Sequence, residues 1–408
     1  MLKGRYAVKF SNWNKARFHT EIKLSAMLQT LSHLAEQRLR HIDVARRAVL
    51  HDGQALAGPL TESWITRSWQ RCLAGGQRPE QAVSFDLVSA QAMRRSEEAN
   101  HLLLSAARPA LHKLGQAISA TRYFAILTNH DGVVVDVNGP IDRRDPRATT
   151  IARIGVDLSE RSVGTTAISA ALKELHPVWL HRGEHFYAGN SAYSCAGAPL
   201  FGPDGHCVGM LDLTGIDAEE RPELKHLVAQ SARSIENALT MAQEHSLLVR
   251  LNWPGRALGD ETDGLVCLDG DGWVTGANQT ARQMVSQLAQ SNPSITSPVH
   301  STELFAMPYE MLFDAAARDG HGQATPIDVP LWSGLRLHAV SVSRGQEKDG
   351  TPSQWGMLGG DHQSLRDVET AIIRKAVTQA KGNVMQAARE LGISRATVYR
   401  KLGNKKLL

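Results

Sequence analysis

The sequence predicts a multidomain α+β chain: a helical N-terminal segment, two antiparallel-sheet units carrying helices, and an all-α helix–turn–helix end. Three observations predict it. Two stretches, Phe124 to Val137 and Gly264 to Asn278, hold β-rich runs around Asp-Gly pairs, the favoured signal of a tight hairpin. Gly382 to Leu402, GNVMQAARELGISRATVYRKL, reads as two short helices about a glycine turn. Charge is also localised. Leu365 to Leu408 holds ten Lys/Arg against three Asp/Glu, a balance of +7 in a chain whose total is +4, so residues 1–364 carry −3. A phosphate-binding element needs a local basic surface of this kind.

With 408 residues, the chain has room for two to four domains, each able to bury its own core. Its composition, 42% apolar and 21% charged, is that of a globular protein. It holds no uncharged apolar run of the roughly eighteen residues a membrane span requires. The first twenty residues carry Lys3, Arg5, Lys9, Lys15 and Arg17 without an acid, yet lack the apolar core of a secretory signal. A frayed basic leader or an upstream start is the expected reading, with Met27 an alternative start. Cys72, Cys195, Cys207 and Cys267 form no close pair, which argues against a zinc site or a disulfide framework and fits a reducing cytoplasm. Neither a cofactor nor a resident metal is expected.

In order, residues 21–100 read as a helical region. Leu24, Leu28, Leu31 and Leu34 form one stripe, and Ile65, Trp69 and Leu73 another on the helix Leu60 to Gly76. A third helix is expected from Glu97 to Thr121. Residues 101–245 then form the first sheet unit: the Phe124–Val137 hairpin, a loop with Gly155 and Gly164, a helix from Thr166, strands at His176–Leu180, Tyr193–Pro199 and Cys207–Thr214, and a closing helix from Ala218 to Ala242. Residues 252–345 form the second unit. Its hairpin is followed by a helix at Gln279–Leu288, another at Leu304–Ala317, and one or two strands within Ile327–Val342. Residues 346–363, rich in polar residues and glycine, read as a linker, and 364–408 as the helix–turn–helix domain.

In that last domain Asn383 and Ser394 occupy N-cap positions, and Gly392 stands where a helix ends in a left-handed residue. Val398 and Leu402 point inward, leaving Arg395, Thr397, Tyr399, Arg400 and Lys401 outward. The motif resembles the C-terminal domain of the Fis family as found at the ends of bacterial enhancer-binding regulators. That resemblance implies double-stranded DNA as partner, with dimers reading a palindrome. Arg395 is expected to contact a base, guanine, with Thr397, Tyr399 and Arg400 beside it and Asn383, Ser394 and Lys401 toward phosphate. Many Fis-type domains have a basic residue where Tyr399 stands, so sequence preference should differ there.

The phrases SWQRC before Gly75, and DLSERSVGTTAISAAL, GEHF and SCAGAPLFGPDGHCVGMLDLTG, resemble the N-terminal and GAF regions of regulators of the acetoin-catabolism (AcoR) type. The first unit is thereby expected to be GAF-like and to hold a small-molecule effector. Phe124, Trp179, Phe186, Tyr193, Cys195 and Met210 are its candidate wall residues. Asp212, a polar residue in an apolar strand, would either meet the ligand or cap a loop, the latter being favoured. Thr166 stands where the family usually has asparagine, so no role transfers to that side chain. The second unit resembles a PAS-type domain.

AcoR-type regulators usually carry a central AAA+ ATPase acting with sigma-54 polymerase. This sequence contains no GxxxxGK[ST] phosphate loop and no GAFTGA-like stretch. Three functions follow as expectations: a ligand-responsive DNA-binding regulator working without its own ATPase; a modulator pairing with an ATPase-bearing sigma-54 activator; and, least favoured, a metal-dependent enzyme. RNA polymerase or a related activator is a further expected partner. The enzyme reading rests on His181-Arg182-Gly183-Glu184-His185, which fits the HxxEH string of a zinc protease. That chemistry needs both histidines on one helical face, whereas Pro177, a strand and Gly183 argue for an irregular turn. The glycines from Gly270 to Gly276 likewise lack dinucleotide-loop spacing.

Overall fold

The computed structural model describes residues 33, 36–53, 61–290, 298–318, 326–343 and 384–386. By internal contacts the chain divides into two units, Met1–Lys348 and Asp349–Leu408. Only residues 384–386 of the second, a helical turn, are described.

The first unit opens with helix α1 (residues 36–46), which runs into a π-turn at Arg47–His51. Helices α2 (Ser63–Ala74), α3 (Ala90–Ala99) and α4 (His101–Ala117) follow. The single helix expected from Glu97 is thus two. The break falls at Asn100, whose side chain bonds back to the Ser96 carbonyl at 2.7 Å and whose backbone (φ −103°, ψ 10°) leaves the helical region. Asn competes with helix geometry in this manner by offering the chain a local partner.

Strands β1 (Tyr123–Asn129), β2 (Val134–Asn138), β3 (Val178–His181), β4 (Tyr193–Phe201) and β5 (Cys207–Ile216) form an antiparallel sheet in the order β2-β1-β5-β4-β3. The Asp131-Gly132 turn joins β1 to β2, with Gly132 at φ 85°, and a Cβ there would lie 3.1 Å from the Ser159 amide nitrogen. Between β2 and β3 run α5 (Pro146–Ile151), α6 (Glu160–Val163) and α7 (Ala167–Glu174). Thr166 caps α7 through a reciprocal capping box with Ser169.

Both faces of this sheet are buried. Ile126, Phe124, Leu180, Cys195 and Met210 face α2, α7 and the crossover, while Leu127, Ala125, Ala196, Leu211 and Leu213 face α4 and α8 (Leu224–Ala242). Helix α8 begins six residues later than expected, since the segment from Ala218 includes Pro222, which disfavours helical geometry at the residue before it.

The second sheet holds β6 (Leu247–Asn252), β7 (Gly264–Leu268), β8 (Val274–Ala277), β9 (Ile327–Pro330) and β10 (Arg336–Ser343), in the order β8-β7-β6-β10-β9. Strand β6 begins ahead of the expected boundary at residue 252 and is the central strand, pairing with both β7 and β10. Helices α9 (Gln279–Met284), α10 (Ser286–Gln290), α11 (Ser301–Leu304) and α12 (Glu310–Arg318) complete this part. Each of the two longer helices expected here is broken, one at Val285 and one across Phe305–Tyr309. Leu247, Val249, Val266, Phe305, Leu312 and Leu337 share its core.

Candidate functional site

Strand alternation sorts the candidate wall residues. Phe124, Tyr193, Cys195 and Met210 lie in the core on the crossover side of the first sheet, joined by Phe186 from the loop after β3. Asp212 shares that face: it stands opposite Ile126 on β1 and Gly197 on β4, with Thr214 opposite Phe124 and Cys195. Trp179 does not join them. It lies on the helix-side face, with ring centroids 6.5 Å from Tyr123 and 6.3 Å from His181. Side chains reverse face at every residue of a strand, and a sheet buried on both sides gives no polar stripe to reveal which way Trp179 turns.

Asp212 is fully buried. Its Oδ2 accepts a hydrogen bond from the Thr214 hydroxyl, and its Oδ1 has no partner. It therefore does not cap a loop, as the sequence favoured. Burial pushes its carboxyl up from 3.8 to about 7, against the smaller opposing effect of the Thr214 bond. The Cys195 thiol lies 3.5 Å from the Thr214 hydroxyl, and burial, followed by the nearby Asp212 carboxylate, holds it far above the usual thiol range. Asp212, Thr214 and Cys195 thus form a polar group enclosed by apolar side chains. Thr214 was missed in the sequence because a lone threonine in a strand is ordinary. Helix α7 closes over this face: a Cβ on Gly197 would come within 2.9 Å of the Ala167 carbonyl.

The HRGEH string forms the end of β3 and a 3-10 turn at Arg182–Glu184, with Arg182 at φ 49°. The His181 Nδ1 lies 2.8 Å from the Ser194 hydroxyl, whereas the His185 Nδ1–H donates to the Arg182 carbonyl at 2.9 Å. Burial lowers both imidazoles to about 4, so they are neutral at physiological pH. No three His, Cys, Asp or Glu side chains gather as a metal site among the described residues. What the string does is hold α1. Arg46 donates to the carbonyls of Gly183 (2.8 Å), His185 and Phe186 (3.0 Å), and Arg38 pairs with Glu184 at 3.1 Å. Burial raises the Glu184 carboxyl to about 7 despite Arg38. Neither arginine carried a sequence signal, since long-range pairing to carbonyls leaves no periodic trace.

Helix α8 links the two sheets. Leu224, Val228, Ala232, Ile235 and Leu239 pack under the first. On another side Asn237 donates to the Glu261 carbonyl (3.0 Å) and accepts from Asn278 (2.7 Å) at the start of α9. The β4–β5 turn reaches the same region, the Pro203 carbonyl accepting from the Ala277 amide and from Arg282, both at 2.8 Å.

The residues read as DNA-contacting (Asn383, Ser394, Arg395, Thr397, Tyr399, Arg400 and Lys401) lie outside the described residues. Comparison with known proteins bears on that segment directly: the family "Bacterial regulatory protein, Fis family" matches residues 364–404, and "MimR, N-terminal domain" matches 41–237. The acetoin catabolism regulatory protein of Cupriavidus necator is 27% identical over 266 residues, 63% of this chain and 38% of that protein. The propane 2-monooxygenase operon transcriptional activator MimR of Mycolicibacterium smegmatis is 28% identical over 216 residues, 50% of this chain and 36% of its own length. The matched region thus spans little more than a third of either relative. Among solved structures, the E. coli DhaR(N)–DhaL complex aligns with 68% of this chain and 98% of its own at 15% identity and a TM-score of 0.40. The homologues of this chain are thus acetoin-catabolism regulators, with residues 41–237 similar to the MimR N-terminal domain and residues 364–404 to the Fis-family helix–turn–helix.

Proposed function

We propose that the chain is a sequence-specific transcriptional regulator that senses a small molecule and acts without an ATPase of its own. Reading of DNA by residues 364–404 follows from the Fis-family match, with Arg395 the base-reading residue and the protein working as a homodimer. Sensing belongs to the first sheet, taken as GAF-like, with the second as PAS-like and its start moved back to β6. The observation that carries the sensing role is Asp212. A buried carboxyl with one free oxygen is costly to fold around, and strongly perturbed groups concentrate where a protein binds or reacts. A compact ligand with one hydrogen-bonding group and an apolar body would satisfy that oxygen, with Phe124, Tyr193 and Met210 around it. Its binding would shift the balance between two arrangements of the DNA-reading helices by binding one better than the other.

The test has two arms. Arg395→Ala should cost about 1–3 kcal/mol of specific binding and relax sequence preference while leaving bulk DNA affinity largely intact; footprints unchanged by the substitution would refute that role. Genome-wide mapping of binding sites identifies the adjacent genes, and the substrates of the enzymes they encode become the ligands to titrate. Asp212→Ala should abolish the response to the active compound and retain DNA binding.

A further inference from the structure

A cavity lies away from the Asp212 face. It is a cleft of about 630 Å³ between the α3–α4 corner, the β1–β2 turn and the β4–β5 hairpin. Leu103 and Leu239 on its wall belong to the helix-side core, on the side of the sheet opposite Asp212. Its volume is within the range of roughly 300–1,000 Å³ that small-molecule sites occupy. The lining has the composition such sites need, an apolar body with a few placed polar groups. Leu103, Val133 and Val208 supply the first, and Arg95 stands at the edge as an exposed guanidinium with no ion pair among the described residues. The one acid on the wall, Asp131, is already beside His130 at 3.2 Å. Glu97 and Glu98, also on α3, do not line the cleft. The floor is fixed in place, since Asn100 and Asn129 both bond to Ser96.

One wall is not merely a surface. Gly202 and Pro203 line the cleft, and the Pro203 carbonyl is the atom that takes hydrogen bonds from Ala277 and Arg282 of the second sheet. An occupant pressing on that hairpin would act directly on the link between the sheets.

We propose that this cleft is a second small-molecule site, taking a compact amphipathic monoanion, an aryl or branched-chain carboxylate or sulfonate, with its acid on Arg95. The cleft also supplies its own reporter. Cys207 lines it and is the partly accessible cysteine, whereas Cys72, Cys195 and Cys267 are buried.

The experiment uses the full chain and 1-anilinonaphthalene-8-sulfonate, an aryl sulfonate whose fluorescence rises in apolar surroundings. The expected result is saturable binding at one site, with alkylation of Cys207 by a fluorescent maleimide slowed at least fivefold at saturation. Arg95→Ala should weaken binding at least tenfold. Ala92→Trp, which puts an indole into the cleft from half-buried Ala92, should remove both binding and protection. Asp212→Ala, on the other face, should alter neither, so failure here is separable from failure of the sensing role. Binding that does not saturate, binding unchanged in Ala92→Trp, or full alkylation of Cys207 at saturation would each overturn the proposal.

Discussion

Replacing Asp212 with asparagine tests the buried carboxyl through its own thermodynamics. The folded state holds this acid at about 7 against the usual 3.8. A gap of that size, at 1.36 kcal/mol per factor of ten, corresponds to a penalty of about 4 kcal/mol when the group is ionised in both states. The sign follows from which state binds more protons. Between 3.8 and about 7 the folded protein keeps this proton and the unfolded chain gives it up, so stability falls as pH rises through the window and is recovered on acidification. Near pH 8 the full penalty applies; near pH 5 roughly 1.5 kcal/mol of it remains, a difference of about 2.5 kcal/mol. The amide of the Asp212→Asn variant cannot ionise, so that protein lacks this dependence. The assay is urea unfolding of both proteins at pH 5, 6, 7 and 8. Glu184 and Glu236, which burial also raises to about 7, contribute equally to both proteins and cancel in the difference. The wild type should lose about 2.5 kcal/mol relative to the variant between pH 5 and 8. A difference constant to within about 0.5 kcal/mol would show that the carboxyl is solvated or paired in solution, and would remove the basis for placing a ligand there.

Arg46→Ala removes three bonds to the carbonyls of Gly183, His185 and Phe186. Since bonds to a charged donor contribute about 1.5–3 kcal/mol each and are not additive, a loss of about 2–4 kcal/mol is expected, together with faster proteolysis within α1. Unchanged cleavage of α1 would show that the helix is held by its apolar contacts alone. Asn237→Ala should cost about 1–3 kcal/mol by leaving the Glu261 carbonyl unpaired and removing an acceptor from Asn278. Calorimetry should then resolve a second transition as the sheets lose one of their links; one sharp transition at the original temperature would argue against Asn237 as a link that couples them.

The elements were legible wherever local chemistry decides them. The Asp131-Gly132 pair set a hairpin because a left-handed residue was needed, and Gly132 is in that region at φ 85°. Thr166 capped α7 because its hydroxyl reaches the Ser169 amide. Where tertiary contacts decide, the sequence was mute. Strand β6, Leu247–Asn252, follows shortly after a helix as a short apolar run, a pattern that a helix tail would also give. Trp179 and Asp212 sit on opposite faces of one sheet, and only the register fixes which face is which. The pairing of Arg46 with the turn after β3 spans 137 residues and more, beyond any periodicity.

These placements bear on how a signal could leave the first sheet. Strand β5 carries Asp212 on one face and Leu211 and Leu213 on the other, so a ligand that moves the strand also moves the residues packed in the α8 core. Packed interiors respond by switching between discrete arrangements rather than by deforming smoothly. Helix α8 then meets the second sheet through hydrogen bonds as well, those of Asn237 and that of the Thr240 carbonyl with the Cys267 thiol at 3.3 Å, whose geometry tolerates little displacement. Pro203 makes a second polar link from the β4–β5 hairpin. Routes for a displacement of β5 out of the first sheet thus include one through α8 and one through its own turn. Both reach the stretch where β8 gives way to α9, Ala277 to Arg282. If the first sheet senses a ligand as proposed, two polar links converging on one short segment would make that segment the place where its state reaches the second sheet.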